Sequence, residues 1–176
     1  MGVEPIAFKN EQALFLPPKG FRQASEVRAA WLVTAPPHSR ISKSSRNTAA
    51  QKAGKRYEKK VIEILNDIYT TIPSPWISFD DKLGIERLCQ PDCLVIFDCS
   101  VVVVEIKRMH TVMAWFQLRK LYEPVVRCLF PDKNIVVAEV TSGFDPRTPW
   151  PESVEFSTSL QDLRDVRSFG VIQWRR

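Results

Sequence analysis

The chain has 176 residues, of which 44% are hydrophobic, enough for one domain with a substantial core. No run of eighteen or more apolar residues occurs, and no charged segment followed by an apolar stretch opens the chain, so the sequence predicts neither a membrane span nor a signal peptide. The net charge is +5, and the four cysteines lack the paired CxxC spacing of a zinc finger.

The first 45 residues differ from the rest because prolines punctuate them. Between these prolines, residues Ala24 to Val33 have the spacing of a short helix. We therefore divide the chain into an N-terminal arm, residues 1–45, and a domain, residues 46–176. The prolines of the arm are Pro5, Pro17, Pro18, Pro36 and Pro37.

Cations are concentrated between His38 and Lys60, where Glu58 is the one acidic residue. Such a block attracts phosphates and releases counterions on binding, although charge runs are more often a solvated face or a linker. Because carboxylates with metal-ligand character occur further along the chain, we favour contact with nucleic acid. The cations assigned to this contact are Arg40, Lys43, Arg46, Lys52, Lys55, Arg56 and Lys59.

Residues Ala53 to Tyr69 are predicted to form an amphipathic helix. Its apolar residues recur at three- and four-residue spacing, and Glu58 lies beside this apolar face. Glu63 is the rival acidic position, but it falls on the predicted solvent side. The apolar face consists of Tyr57, Val61, Ile64, Leu65 and Ile68.

Two apolar runs, Cys93–Phe97 and Val101–Ile106, predict a β-hairpin with its turn at residues 98–100. Pairing of the runs would bring Asp92 and Glu105 to neighbouring positions on adjacent strands. Side chains alternate between faces, so Glu105 and Lys107 point the same way, whereas Val102, Val104 and Ile106 point the other way into a core. Trp76 to Phe79 is the predicted first strand of the same sheet.

The rest of the chain continues the alternation of helix and strand. A helix is predicted from about Thr111 to Leu129, with a kink or a break near Tyr122 because Pro124 lies within it. A strand follows at Asn134–Val140. Nearer the C-terminus we expect a short helix over Ser159–Arg167 and an edge strand over Val171–Trp174.

The pair Pro91-Asp92, followed by Glu105-Ile106-Lys107, resembles the signature of the PD-(D/E)XK nuclease superfamily. The resemblance implies an α/β fold with a restriction-endonuclease-like αβββαβ core, in which helices flank a central mixed sheet. The helix that opens with glycine and Glu58 is similar to that of archaeal-type Holliday-junction resolvases. Gln117 and Tyr122 are similar to the glutamine-and-tyrosine motif of the RecB-type branch, with one extra residue between them.

This resemblance implies a Mg²⁺ or Mn²⁺ site made by Glu58, Asp92, Glu105 and the carbonyl of Ile106. Lys107 would position the attacking water, and Gln117 would contact a metal-bound water or the scissile phosphate. The expected function is metal-dependent DNA endonuclease activity, including structure-selective or junction-resolving cleavage, with a homodimer as one arrangement. We expect a cytoplasmic protein of a bacterial or phage-infected cell.

Alternatives remain for several of these residues. Strand-edge acids followed by a lysine often form surface salt bridges, and a non-catalytic nucleic-acid-binding or assembly protein with a nuclease-like core is the alternative function. His110 could contact a phosphate or donate a proton, but we favour an exposed loop histidine. Asp80 and Asp81 are better explained as turn residues.

Overall fold

The computed structural model describes residues 16–24, 26–34 and 48–174. In chain order its elements are β1 (Ala29–Val33), α1 (Ala49–Ile68), β2 (Thr71–Pro73), β3 (Trp76–Asp80), β4 (Glu86–Cys89), β5 (Cys93–Ile96), β6 (Ser100–Met109), α2 (Val112–Trp115), a π-helical segment (Phe116–Tyr122), α3 (Glu123–Leu129), β7 (Asn134–Gly143), β8 (Val154–Ser157), α4 (Leu160–Leu163) and β9 (Phe169–Gln173).

The centre of the fold is a six-stranded mixed sheet in the order β2-β5-β6-β7-β9-β8. The pairs β2-β5 and β5-β6 are antiparallel, whereas β6-β7, β7-β9 and β8-β9 are parallel. Helix α1 packs on one face, and the π-helical segment with α3 packs on the other. The predicted α/β class, with helices flanking a central mixed sheet, is confirmed.

The predicted hairpin is present as β5 and β6, and its turn is closed by a hydrogen bond from Phe97 N–H to the Ser100 carbonyl, 2.9 Å long. Strand β6 lies between two neighbours and is covered on both faces, which explains its nearly unbroken apolar run. Val102, Val104 and Ile106 contact the α1 side of the core, as the alternation of side chains predicts.

The prediction that Trp76–Phe79 is the first strand of the central sheet is wrong. These residues form β3, which lies in a separate three-stranded antiparallel sheet between β1 and β4. The first strand of the central sheet is the shorter β2, and β3 and β4 stand between it and β5 in the chain. Pairing between distant segments decides sheet membership, and local sequence does not encode it.

The short helix predicted over Ala24 to Val33 is also wrong, because Ala29–Val33 is strand β1 and pairs with β3 along its whole length. Ala24 is 5% exposed and belongs to the hydrophobic core. The described part of the arm therefore contributes a strand and a buried side chain to the domain.

The helix predicted from Thr111 to Leu129 is present, and it changes geometry where Pro124 was expected to disturb it. Glu123 N–H bonds the Leu118 carbonyl five residues earlier, which is a π-helical turn. Pro124 has no N–H to donate within the helix, and the carbonyl of Lys120 in the same irregular stretch accepts a hydrogen bond of 2.8 Å from Ala24 N–H. A segment of the arm is thus attached to the helix in the turn before the proline.

The C-terminal elements differ from prediction in two respects, because the helix expected to reach Arg167 ends at Leu163 and the strand expected at an edge lies inside the sheet. Ser159 caps α4, where its side chain accepts from Gln161 N–H, and the helix ends at Leu163. Strand β9 is an interior strand and not an edge, because β8 pairs with its outer side. Within the described residues, no helix combines the length and apolar character needed to cross a bilayer.

Candidate functional site

The two hairpin carboxylates meet where β5 begins. The register pairs Cys93 with Val104, so Asp92 lies opposite Glu105 one step further. One oxygen of Asp92, Oδ2, accepts a hydrogen bond of 2.7 Å from Ile106 N–H, which ties the side chain to β6. The Asp92 carbonyl accepts from Ser74 N–H at 2.8 Å, and Ser74 holds a left-handed φ of 44°. Hydrogen bonds thereby hold both the side chain and the main chain of Asp92.

Glu105 is a buried carboxylate, only 2% exposed, with Lys107 as its ion-pair partner. Lys107 Nζ donates to Oε1, while Oε2 receives no hydrogen bond from the described residues. Burial raises the pKa of Glu105, the charge of Asp92 raises it further, and Lys107 opposes both effects. A buried oxygen without a donor, beside a second acid, favours a cation at this position.

The environment of Asp92 indicates that Glu58 is close. Burial raises the pKa of Asp92 to about 6, the hydrogen bond from Ile106 lowers it, and the charge of Glu58 raises it. Glu58 lies on α1 and is half-buried, and its effect on the pKa of Asp92 shows that it is within electrostatic reach of that residue. Glu63 is exposed and pairs with Lys59, so its predicted solvent position is confirmed.

Lys107 is the cation at the centre of these acids. Its burial lowers its pKa, but Glu105, Asp92 and Glu139 raise it by more, so the net pKa is above that of a free lysine. Lys107 is therefore an ammonium ion here. In this state it can donate hydrogen bonds and stabilise negative charge, but it cannot accept a proton from water.

The glutamine and tyrosine of the helical motif are joined to each other. Gln117 Nε2 donates to the Tyr122 hydroxyl at 3.3 Å, and that hydroxyl donates to the Gln90 carbonyl at 3.2 Å. Burial raises the pKa of Tyr122, and the charges of Glu105 and Asp92 raise it further, which puts the hydroxyl near both acids. Gln117 Oε1 is buried and has no hydrogen-bond donor among the described residues.

Sequence reasoning missed one acidic residue of this region. Glu139 lies in β7 directly beside Glu105, with a fully buried side chain. Its Oε2 is 2.8 Å from His110 Nδ1, and His110 stacks on Trp150 at a centroid distance of 3.6 Å. The preferred prediction of an exposed loop histidine is therefore wrong, because Trp150 and Glu139 enclose the ring. A lone acid inside the apolar run Ile135–Val140 was the available signal.

The oxygen ligands of the site suit a hard divalent cation, but the described side chains do not form a complete coordination shell. Carboxylate oxygens are the ligands of Mg²⁺ and Mn²⁺, and the unpartnered Glu105 Oε2 is available. Within the described ranges, however, no three side chains of His, Cys, Asp or Glu are grouped to hold a metal ion. Ile106, predicted to give its carbonyl to a metal, contributes its N–H to Asp92.

The predicted nucleic-acid contacts divide into two sets. Lys52, Lys55, Arg56 and Lys59 are exposed on α1, the helix that carries Glu58. Arg40, Lys43 and Arg46 lie outside the described residues. The described cations therefore form a solvent-exposed basic stripe on the outer side of α1, the helix that carries Glu58.

Comparisons of this chain with protein-family models, with curated proteins and with solved structures found no match.

Proposed function

We propose that this chain is a metal-dependent deoxyribonuclease that hydrolyses phosphodiester bonds, with a restriction-endonuclease-like core of the PD-(D/E)XK type. The proposal is carried by one observation, the meeting of Asp92, Glu105 and Lys107 on adjacent strands of a central sheet. Burial raises the pKa of both acids, Asp92 raises that of Glu105 and Glu58 raises that of Asp92, and such an arrangement is typical of sites that bind a cation or transfer protons.

The element order supports the proposal. Helix α1 brings Glu58 to the acids from one face of the sheet, and the helix after β6 brings Gln117 and Tyr122 from the other. The basic stripe on α1 would attract the DNA backbone towards the carboxylates. Each of these residues comes from the element that the resemblance assigns to it.

The roles of the chain's own residues follow from their chemistry. Asp92 and Glu105 would hold Mg²⁺ or Mn²⁺, with Glu58 as a third ligand directly or through water. A bound divalent cation supplies Lewis-acid polarisation of the phosphate and lowers the pKa of water. Lys107, as an ammonium ion, would orient the attacking water and stabilise the charge that develops on the phosphoryl oxygens. Gln117 Oε1 is an acceptor for a water near the phosphate.

The incomplete set of metal ligands favours a second candidate function. If the acids do not bind a cation, the basic stripe on this fold would serve a non-catalytic nucleic-acid-binding or assembly protein. In that case the pairing of Lys107 with Glu105 would be structural, as buried ion pairs often are.

A cleavage panel separates the two functions. Purified protein would be incubated with supercoiled plasmid, a four-way junction and single-stranded DNA, in Mg²⁺, in Mn²⁺ or in EDTA. We expect metal-dependent cleavage that is abolished in Asp92→Ala and Glu105→Ala, with DNA binding retained because removing a carboxylate reduces repulsion of phosphates. The matched control is Asp98→Ala, which removes an exposed acid from the hairpin turn.

Cleavage by Asp92→Ala at the wild-type rate, or a lack of cleavage by the wild-type protein on every substrate, would refute the nuclease proposal. Loss of DNA binding and of cooperative unfolding together in Glu105→Ala would indicate that this acid has a structural role.

A further inference from the structure

A cleft of about 570 Å³ lies beside Gln117, between the arm, strand β4 and the helix after β6. This volume is within the roughly 300–1,000 Å³ range of pockets that enclose small ligands, and a duplex would not enter it. The wall combines two cations from the arm with apolar side chains and an amide, and Arg87 and Glu86 also line it. Its main lining residues are Lys19, Phe21, Arg22, Met113, Gln117 and Leu121.

The arm holds the two cations in a defined geometry. Phe21 N–H donates to the Pro18 carbonyl at 2.9 Å, and Gly20 has a φ of 83°, so residues 18–21 form a tight turn that needs glycine at its third position. Nearby, the hydrogen bond from Ala24 N–H to the helix fixes the end of the same segment. Lys19 and Arg22 are exposed next to the cleft.

The charge of the cleft is positive. The two other ionisable residues of the wall already have partners, since Arg87 pairs with Asp81 at 2.7 Å and Glu86 Oε1 accepts from Ser78 at 2.6 Å. Among residues 16–24, 26–34 and 48–174, no acid pairs with Lys19 or Arg22. Two cations without an acidic partner, next to apolar side chains, suit a ligand in which an anionic group is attached to a flat apolar group.

We propose that this cleft binds one unpaired nucleotide of a DNA single strand, with its phosphate at Lys19 and Arg22 and its base against Phe21 and Met113. Phe21 packs against Phe116 at a centroid distance of 5.7 Å, which holds the ring in place for stacking. Gln117 reaches from this cleft to the Tyr122 hydroxyl beside the acids, so the bound nucleotide would lie close to the scissile phosphate.

The inference rests on the proposed function for its choice of nucleic acid, and it narrows the substrate. A duplex would need a single-stranded tail, a flap or an opened junction arm to reach the cleft. Blunt duplex would contact the basic stripe on α1 alone.

The test measures binding in EDTA, where no cleavage is required. Fluorescence anisotropy would follow a labelled oligothymidylate, a blunt duplex and the same duplex with a thymidine tail. We expect Lys19→Ala/Arg22→Ala to weaken tail and oligothymidylate binding about fivefold to tenfold relative to blunt duplex, because two phosphate contacts are lost. The control is Arg164→Ala/Arg167→Ala, which removes the same charge at exposed positions between α4 and β9, a segment that does not line the cleft.

A second measurement uses the unaltered protein. A tail carrying 5-iodo-2′-deoxyuridine would be photocrosslinked and the attached peptide identified by mass spectrometry, with attachment expected at Phe21 or Met113. Three results would overturn the inference: crosslinks only to the basic stripe, equal losses of tail binding in both double variants, or competition by free thymidine monophosphate as strong as by oligothymidylate. A tail preference without any cleavage would leave this inference standing and remove the nuclease proposal instead.

Discussion

Asp92→Asn separates the charge of this residue from its hydrogen bond. The asparagine oxygen can still accept from Ile106 N–H, so the tie between β5 and β6 is kept. The negative charge, which burial and Glu58 both disfavour, is removed. We therefore expect Asp92→Asn to be more stable than the wild type in the absence of divalent metal.

The size of the gain follows from the pKa of Asp92, which rises from 3.8 to about 6 in the folded chain. At about 1.4 kcal/mol per pH unit this is roughly 3 kcal/mol, which we reduce to about 2 kcal/mol because Asp92 keeps some contact with solvent. The folded pKa lies above the unfolded one, so the contribution of Asp92 to stability is fully present below pH 3.8 and is lost as the pH rises through about 6. The advantage of the variant should thus be full at pH 7.5 and should shrink towards pH 4.

Urea unfolding followed by tryptophan fluorescence measures this difference, since the chain has five tryptophans. The experiment is run in EDTA at pH 7.5 and 5, and then in Mg²⁺. Metal that binds the folded state stabilises the wild type by mass action, so the gap between the two proteins should narrow in Mg²⁺. Asp98→Asn, an exposed acid, should change the free energy of unfolding by less than about 0.5 kcal/mol.

The reasoning is refuted if Asp92→Asn destabilises the protein equally at both pH values. That result would mean that the carboxylate makes a net favourable contribution, with Asp92 acting as a structural acceptor and not as one of two repelling acids.

Three further outcomes can be checked with the same protein. If the four described cations of α1 contact phosphates, a plot of the logarithm of the DNA association constant against the logarithm of salt concentration should have a slope of about −3 to −4. An anisotropy titration measures this slope, and a value near zero would contradict the contact. Gly170→Ala should destabilise by about 1–3 kcal/mol in urea unfolding, because its Cβ would lie 2.7 Å from a Leu163 methyl carbon. The matched Gly54→Ala, in open space on α1, should stabilise by about 0.5–1 kcal/mol, and equal effects of the two variants would count against the close approach. His110→Ala should destabilise by about 3–5 kcal/mol because Glu139 loses the partner of its buried carboxylate, and a change below about 1 kcal/mol would show that the pair is dispensable.

The hairpin could be predicted from sequence because its information is local. A short turn sets the register of two consecutive apolar runs, and the two-residue period then decides which face each side chain occupies. Asp92, Glu105 and Lys107 were therefore placed together correctly. The helix that carries Glu58 was predictable for a similar reason, since its apolar residues repeat over about three turns.

The parts that sequence could not supply depend on contacts between distant segments. The pairing of β3 with β1 joins residues nearly fifty positions apart, and nothing in Trp76–Asp80 distinguishes this partner from β5. Glu139 lies beside Glu105 only because β7 runs parallel to β6 in one particular register. His110 is enclosed by Trp150, which the helix after β6, strand β7 and a loop separate from it in the chain.

The carbonyl of Lys120 connects two regions that differ greatly in sequence position. The hydrogen bond that this oxygen accepts from Ala24 N–H holds the segment that bears Lys19 and Arg22 against the helix after β6, so faster amide hydrogen exchange at Ala24 would report release of that segment. In this chain, attachment of the arm therefore depends on the backbone of the helix and not only on side-chain packing.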